Sequence, residues 1–210
     1  MRRLPVYLLL DTSGSMMGEP IEAVKNGVQL MISKLRQNPQ AQETAFLSVI
    51  TFDSSAKQII PLTDLSSFQM VDINASGTTA LGDALKTVSQ CIDREVAKTT
   101  ADTKGDWKPL VFLLTDGVPT DNWQSGLTEF KKRKTAFTVA CAAGSGADTS
   151  VLKQITEIVI RIDTDMDSIE KFFAWVTASI GVSSTKVEDA GKEVTGLNEL
   201  PAPPSTLNIL

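Results

Sequence analysis

Histidine is absent from this chain of 210 residues. That excludes a Ser-His-Asp triad, a Cys-His nucleophile pair and His-ligated zinc built from this chain alone. Cysteine is scarce: Cys91 falls on the face of an expected helix and Cys141 inside an apolar strand. Neither has a CxxC neighbour, so both read as small buried hydrophobes with reduced thiols. Positive charge is in the minority, 20 Lys and Arg against 25 Asp and Glu, for a net charge of −5. No basic stripe or aromatic–basic cluster occurs, which argues against nucleic-acid binding through phosphate neutralisation. The one basic run, Lys131-Lys132-Arg133-Lys134, is placed late in a helix, where positive charge suits the dipole. Long hydrophobic runs are missing too, and none approaches the roughly 20 residues that span a bilayer. The opening Met1-Arg2-Arg3-Leu4-Pro5 leads into a short apolar stretch ending at Asp11, without a small-residue cleavage site. The expectation is a cytoplasmic chain that does not insert into a membrane.

What is present is a 42% hydrophobic composition, enough for a full core in one domain with a short tail. Apolar strand-like runs alternate with amphipathic helical patterns, as in an α/β sheet with helices on both faces. Strands are expected at Pro5 to Leu10, at Ala45 to Phe52 (apolar at nearly every position and so central), and at Lys57 to Leu62. The turn Asp53-Ser54-Ser55 is too short for a parallel crossover, so the third strand should run antiparallel at an edge. Further strands are expected at Leu110 to Leu114, Thr138 to Ala142 and Ile158 to Ile162. Helices are expected from Glu19 to the Asn38-Pro39 stop, and over Leu81 to Ala97, Trp123 to Lys134, Thr149 to Gln154 and Met166 to Ile180. From Ser183 the helical period disappears. A domain over 1–182 followed by an irregular, proline-containing tail over 183–210 is expected, the tail either disordered or docked through Leu207, Ile209 and Leu210.

The chemistry gathers at the strand ends. Asp11-Thr12-Ser13-Gly14-Ser15 directly follows Val6-Tyr7-Leu8-Leu9-Leu10, setting a carboxylate and two hydroxyls at alternate positions past a buried strand. Such an array of hard oxygens suits Mg²⁺, which takes oxygen ligands at roughly 2.0–2.1 Å. Gly77-Thr78-Thr79 and Leu114-Thr115-Asp116-Gly117 can complete it. Asp11 and Asp116 follow strands expected to be neighbours where an open sheet changes direction, the usual ligand crevice of such folds. Taken singly, each segment is also an ordinary cap or turn; three together point to a cation.

The set resembles the von Willebrand factor A family with its metal-ion-dependent adhesion site, whose pattern is DxSxS, a loop threonine and an aspartate in a TDG-type turn. It maps onto Asp11, Ser13, Ser15, Thr79 and Asp116, with Thr79 preferred to Thr78 because Gly82, Ala84 and Leu85 follow at the family's spacing. The resemblance covers Leu4 to Gly181. It implies that Ser13, Ser15 and Thr79 bind Mg²⁺ (or Mn²⁺ or another divalent cation) directly. Asp11 and Asp116 would hold coordinating waters, or bind directly in a closed form, and a partner's Asp or Glu would complete the shell. Pattern and resemblance together imply a Rossmann-like open sheet of about six strands, mostly parallel with one antiparallel edge strand, in the order 3-2-1-4-5-6. Within the family the chain is similar to the bacterial tellurium-resistance TerY type, in its DTSGSMxGEPI, GTTALGDAL and LLTDGxPTD stretches. That implies a non-catalytic role in tellurite and stress resistance, beside an operon-linked kinase-like protein or phosphatase. Met16, Met17, Pro119 and Trp123 are candidates for an adaptable apolar rim, although Met17 and Trp123 would equally suit packing under their helices.

Three rivals stand beside this. A haloacid-dehalogenase-like phosphatase would use Asp11 as nucleophile, but its general acid two residues later is Ser13 here, and a serine does not donate at the needed pKa. A nucleotide-binding Rossmann domain has only Gly144-Ser145-Gly146 in its favour, with no GxGxxG after the first strand and no GxxxxGK[ST]. A structural domain with a water-filled motif is the third.

Overall fold

The computed structural model describes residues 2–210. Its centre is β1 (Leu4–Asp11), buried at every position. Alternate residues serve opposite faces, as a pleated strand requires. Leu4, Val6, Leu8 and Leu10 enter one core layer, while Tyr7 and Leu9 enter the other. Each fully buried aliphatic side chain of this kind contributes about 1.5–3 kcal/mol. The first layer is closed by α1 (Glu19–Leu35) and α6 (Met166–Asp189), through residues such as Val24, Val28, Phe172 and Val176. The second is closed by α3 (Leu81–Glu95), α4 (Trp123–Phe130) and α5 (Thr149–Ile155), through Leu85, Val88, Leu127 and Leu152.

The remaining strands are β2 (Ala45–Phe52), β3 (Ala56–Asp64), β4 (Leu110–Thr115), β5 (Phe137–Ala143), β6 (Ile158–Ile162) and β7 (Asn208–Ile209). They form one sheet in the order β3-β2-β1-β4-β5-β6-β7. β2, β1, β4, β5 and β6 are mutually parallel, and β3 pairs antiparallel with β2 at one edge, as expected. The chain leaves β1 toward β2 on one side and returns as β4 on the other, so the crevice lies between the carboxyl ends of β1 and β4. Their register, Leu10 opposite Leu114, ends the two strands at one level. That places the loops after Leu10 and after Leu114 side by side.

Five details differ from the sequence expectation. The sheet has seven strands, because Asn208–Ile209 adds an antiparallel strand beyond β6. β2 lies second from the edge, and its apolar character comes from helices on both faces plus the cover of β3. α6 does not stop at Ile180 but runs to Asp189. Its polar letters conceal burial: Ser179, Ser183 and Ser184 are all fully buried, and Ser183 satisfies its hydroxyl on the Ser179 carbonyl one turn back. α4 is shorter than expected and stops at Phe130, so the basic run lies in the turns beyond it. There Lys132 pairs with Glu129, and Arg133 with Asp93 and Glu129. A short helix α2 (Pro39–Thr44), capped by Asn38 accepting from the Ala41 amide, begins where the first helix was expected to stop.

The tail packs on the domain. The Trp175 indole donates to the Pro201 carbonyl at 2.8 Å, and Val194, Leu200 and Leu207 are buried. Of the three apolar tail residues, Leu207 is covered while Ile209 and Leu210 stay partly open. Cys91 and Cys141 are buried free thiols. Among the described residues no helix is long and apolar enough to cross a membrane.

Candidate metal centre

Asp11 closes β1 and is fully buried. Its Oδ1 accepts the Ser13 backbone N–H at 2.8 Å, which bends the chain straight out of the strand. A single 3-10 turn over Gly14–Met16 follows and brings the Ser13 and Ser15 hydroxyls to 3.1 Å from each other. Ser15 Oγ in turn donates to Asp116 Oδ1 at 2.7 Å. Asp116 stands just beyond β4, where the parallel register already brings the chain beside Asp11.

The third segment, residues 71–80, crosses this crevice without regular secondary structure and is tied to the first by backbone bonds. Gly14 N–H donates to the Gly77 carbonyl at 3.1 Å, and Ser76 N–H to the Thr12 carbonyl at 2.8 Å. The two candidate threonines then diverge. Thr78 is exposed and donates its amide and hydroxyl to Ser54 Oγ. Thr79 is buried with its hydroxyl against Gly117, where an added Cβ would stand 3.1 Å from Oγ1. The structure thus gathers Asp11, Ser13, Ser15, Thr79 and Asp116 at one strand-end crevice.

Burial pushes the Asp11 carboxyl above the ordinary aspartate range; bonds from Ser13 and Thr115 oppose this, and the Asp116 charge adds to it. Burial likewise raises Asp116, against the bond from Ser15. No lysine or arginine among the described residues forms an ion pair with either. Two neighbouring carboxylates shielded from water without a counter-charge are costly unless a cation is present. No group of three or more His, Cys, Asp or Glu able to hold a metal occurs among the described residues. The donors here are two carboxylates and three hydroxyls, an all-oxygen set that fits a hard cation.

The proposed rim separates into three kinds of residue. Met17 is 65% exposed, Pro119 and Trp123 are half-buried, and Met16 is wholly buried. Met16 therefore offers no rim surface: the 3-10 turn directs it inward, into the layer beneath α1. Trp123 packs against the layer under α3 and α4. Val118, 56% exposed, is an apolar residue that the sequence reading passed over. Beside the carboxylates lies an open groove of about 310 Å³, lined by Ser15, Pro20, Asp116, Gly144, Gly146 and Thr164. The glycine-rich turn that hinted at a nucleotide is a wall of this groove.

The roles of three residues escaped the sequence reading. Thr115 donates its hydroxyl to Asp11 Oδ2 at 2.5 Å. Thr120 Oγ1 accepts the Thr79 amide at 3.1 Å, and both Asp121 oxygens accept amides at the start of α3. The available signal was a second aspartate in the LLTDGxPTD stretch, ahead of a helix already capped by Asn122.

Residues 6–174 match the family described as von Willebrand factor type A domain. An uncharacterised protein of Synechocystis sp. is 37% identical over 123 residues, covering 55% of this chain and 26% of that protein. Among solved structures, proximal thread matrix protein 1 from the mussel byssus, with a zinc-occupied MIDAS motif, is similar at TM-score 0.63 and 22% identity, over 87% of this chain and 46% of that one. The pilus adhesin SpaC of Lactobacillus rhamnosus GG, in an open conformation, is similar at TM-score 0.68 and 15% identity, over 87% of this chain and 30% of that one. At such identities these likenesses establish the fold. The chain spans less than half of the length of each of these proteins. Domains of this family commonly serve as metal-dependent protein-interaction modules and are generally non-enzymatic. By the match over residues 6–174, the chain belongs to the von Willebrand factor type A domain family.

Proposed function

We propose that this domain is a docking module that captures an Asp or Glu of a protein partner through a divalent cation, Mg²⁺ or Mn²⁺, held by Asp11, Ser13, Ser15, Thr79 and Asp116. The observation that carries it is the pair of buried carboxylates without a basic partner, ringed by hydroxyls from three segments. When bound, the ion supplies a positive centre that still accepts an anionic ligand. Ser13, Ser15 and Thr79 offer neutral oxygens, which leave more of that charge for a partner than carboxylates would. Ser13 N–H and Thr115 Oγ1 hold the Asp11 carboxylate in one orientation. The zinc-occupied motif described for the mussel protein supports a cation at this place in the fold.

The loops around the crevice define the partner's chemistry further. Segments 11–20, 53–55, 71–83, 116–122, 144–149 and 163–168 contain no lysine or arginine, and carry Glu19, Asp53, Asp121, Asp148, Asp163 and Asp165 among others. A partner carboxylate brought here is best carried on an otherwise basic surface, because like charges across an interface repel. Met17, Val118 and Pro119 flank the crevice as its apolar contacts. By the TerY-like wording of its motifs, we place the domain in the bacterial cytoplasm, in a tellurite- and stress-resistance system. The partner we propose there is a kinase-like protein or phosphatase encoded alongside.

A phosphatase-type enzyme fits less well. Its nucleophile would be Asp11, but the residue two positions on, where its general acid is needed, is Ser13, which does not donate a proton at the required pKa. The test is affinity capture from the native cell with and without chelator. The proposal expects a protein retained with Mg²⁺ and released by EDTA; retention unchanged in excess EDTA contradicts it.

A further inference from the structure

Thr79 is the candidate ligand least secured by its own surroundings. It sits at the end of a long connection between β3 and α3 that has no regular structure over residues 71–80. The following helix cannot cap itself: its N-cap position is Ala80, which makes no side-chain cap bond. Both deficits are met from one turn, by Thr120 and Asp121, four and five residues beyond Asp116. Thr79 N–H donates to Thr120 Oγ1 at 3.1 Å, and Thr120 N–H donates back to the Thr79 carbonyl at 2.9 Å. Asp121 then accepts the Gly82 amide on Oδ1 at 2.9 Å and the Asp83 amide on Oδ2 at 2.8 Å. Two of the unpaired amides that begin α3 are thereby satisfied by a carboxylate from another loop, where negative charge also suits the helix dipole.

The approach of the two loops is held close by glycine. A Cβ on Gly82 would come within 2.7 Å of the Asn122 carbonyl, and one on Gly126 within 2.2 Å of the Gly82 carbonyl. Only glycines permit α3 and α4 to pack at this distance. We infer that Thr120 and Asp121 are positioning residues for the metal centre, a clamp that fixes the Thr79 hydroxyl against Gly117, the residue after Asp116. This rests on the metal-docking reading of the site. Thr78, whose bonds run to Ser54, lies outside the clamp. The same turn that carries the Asp116 candidate therefore places a second one, so that these two segments are bonded directly to each other.

The test is Mn²⁺ titration of the wild type, Thr120→Val, Thr120→Ser, Asp121→Ala and Asp11→Ala, with melting of each metal-free protein. Thr120 is exposed, so Thr120→Val removes the acceptor without disturbing the core. Partners that orient metal ligands typically cost about 10–100-fold in affinity when removed. Mn²⁺ affinity is expected to fall by that order in Thr120→Val and Asp121→Ala, and to recover in Thr120→Ser. The melting temperature of metal-free Thr120→Val should stay near wild type. Wild-type affinity in Thr120→Val overturns the clamp, as does equal weakness in Thr120→Ser; neither depends on whether Asp121→Ala folds. A wild type that takes up no more Mn²⁺ than Asp11→Ala instead overturns the metal reading, and the clamp with it.

Discussion

Thr115 Oγ1 donates to Asp11 Oδ2 across 2.5 Å, joining the last residues of two adjacent parallel strands inside the core. The bond fixes the Asp11 carboxylate before any ligand arrives. Hydrogen bonds to charged groups contribute about 1.5–3 kcal/mol. Thr115→Val keeps the shape of the side chain and removes the donor. We expect a loss of that size in urea unfolding at neutral pH, together with weaker Mn²⁺ binding. Unchanged stability and affinity would show that the bond orients nothing.

Asp116 faces the opposite prospect. Its carboxylate lies beside Asp11 without a basic partner, so Asp116→Asn removes a repulsive charge while keeping an oxygen for Ser15. The metal-free variant should melt at or above the wild-type temperature. Mg²⁺ at a hundredfold excess over its dissociation constant should stabilise wild type by about 2.7 kcal/mol, and the variant by far less. Thermal scans with and without Mg²⁺ check both halves; an equal metal-induced gain in the variant would contradict the assignment.

Acid stability should depend on a second carboxylate, far from the crevice. Burial works to raise Asp106, but Arg3 bonding to its side chain and amides from Ala97 and Arg3 outweigh it and hold the carboxyl below the ordinary range. A depressed folded pKa gives stability that is complete above the unfolded value of about 3.9 and is lost as pH falls through the folded one. Asp106→Asn should therefore be less stable than wild type at neutral pH, and the gap should narrow below about pH 4. Urea midpoints across pH 2.5 to about 7 read this directly. A gap independent of pH would remove the linkage.

The tail is expected to matter for stability and not for metal. Leu207 is buried, and the Trp175 indole is satisfied by Pro201. Leu207→Ala should cost about 2 kcal/mol or more, in the range of buried Leu→Ala changes, and leave Mn²⁺ affinity as it was. A stability unchanged by this substitution would mean that the tail packs only loosely.

The alternation of apolar runs and amphipathic stretches carried most of the architecture in sequence, because strands buried on both faces cannot hide their composition. The candidate oxygen donors that meet at the crevice were legible as well, since DxSxS and TDG are local in the chain. What escaped depends on contacts between distant segments. Asp121 stands just ahead of the helix at Trp123 in sequence, yet it accepts amides of the helix that starts at Leu81. Ser183 and Ser184 interrupt the apolar period and so read as the start of an irregular tail, yet they are buried within α6. Two residues of β7 are too few to show any period, and only the open edge of β6 makes them a strand.

Calorimetric titration of Mn²⁺ into the wild-type chain and into Asp11→Ala tests the central claim most directly. One saturable site is expected in the wild type and none in the variant. Absence of binding in the wild type, or the same isotherm from both proteins, would contradict it.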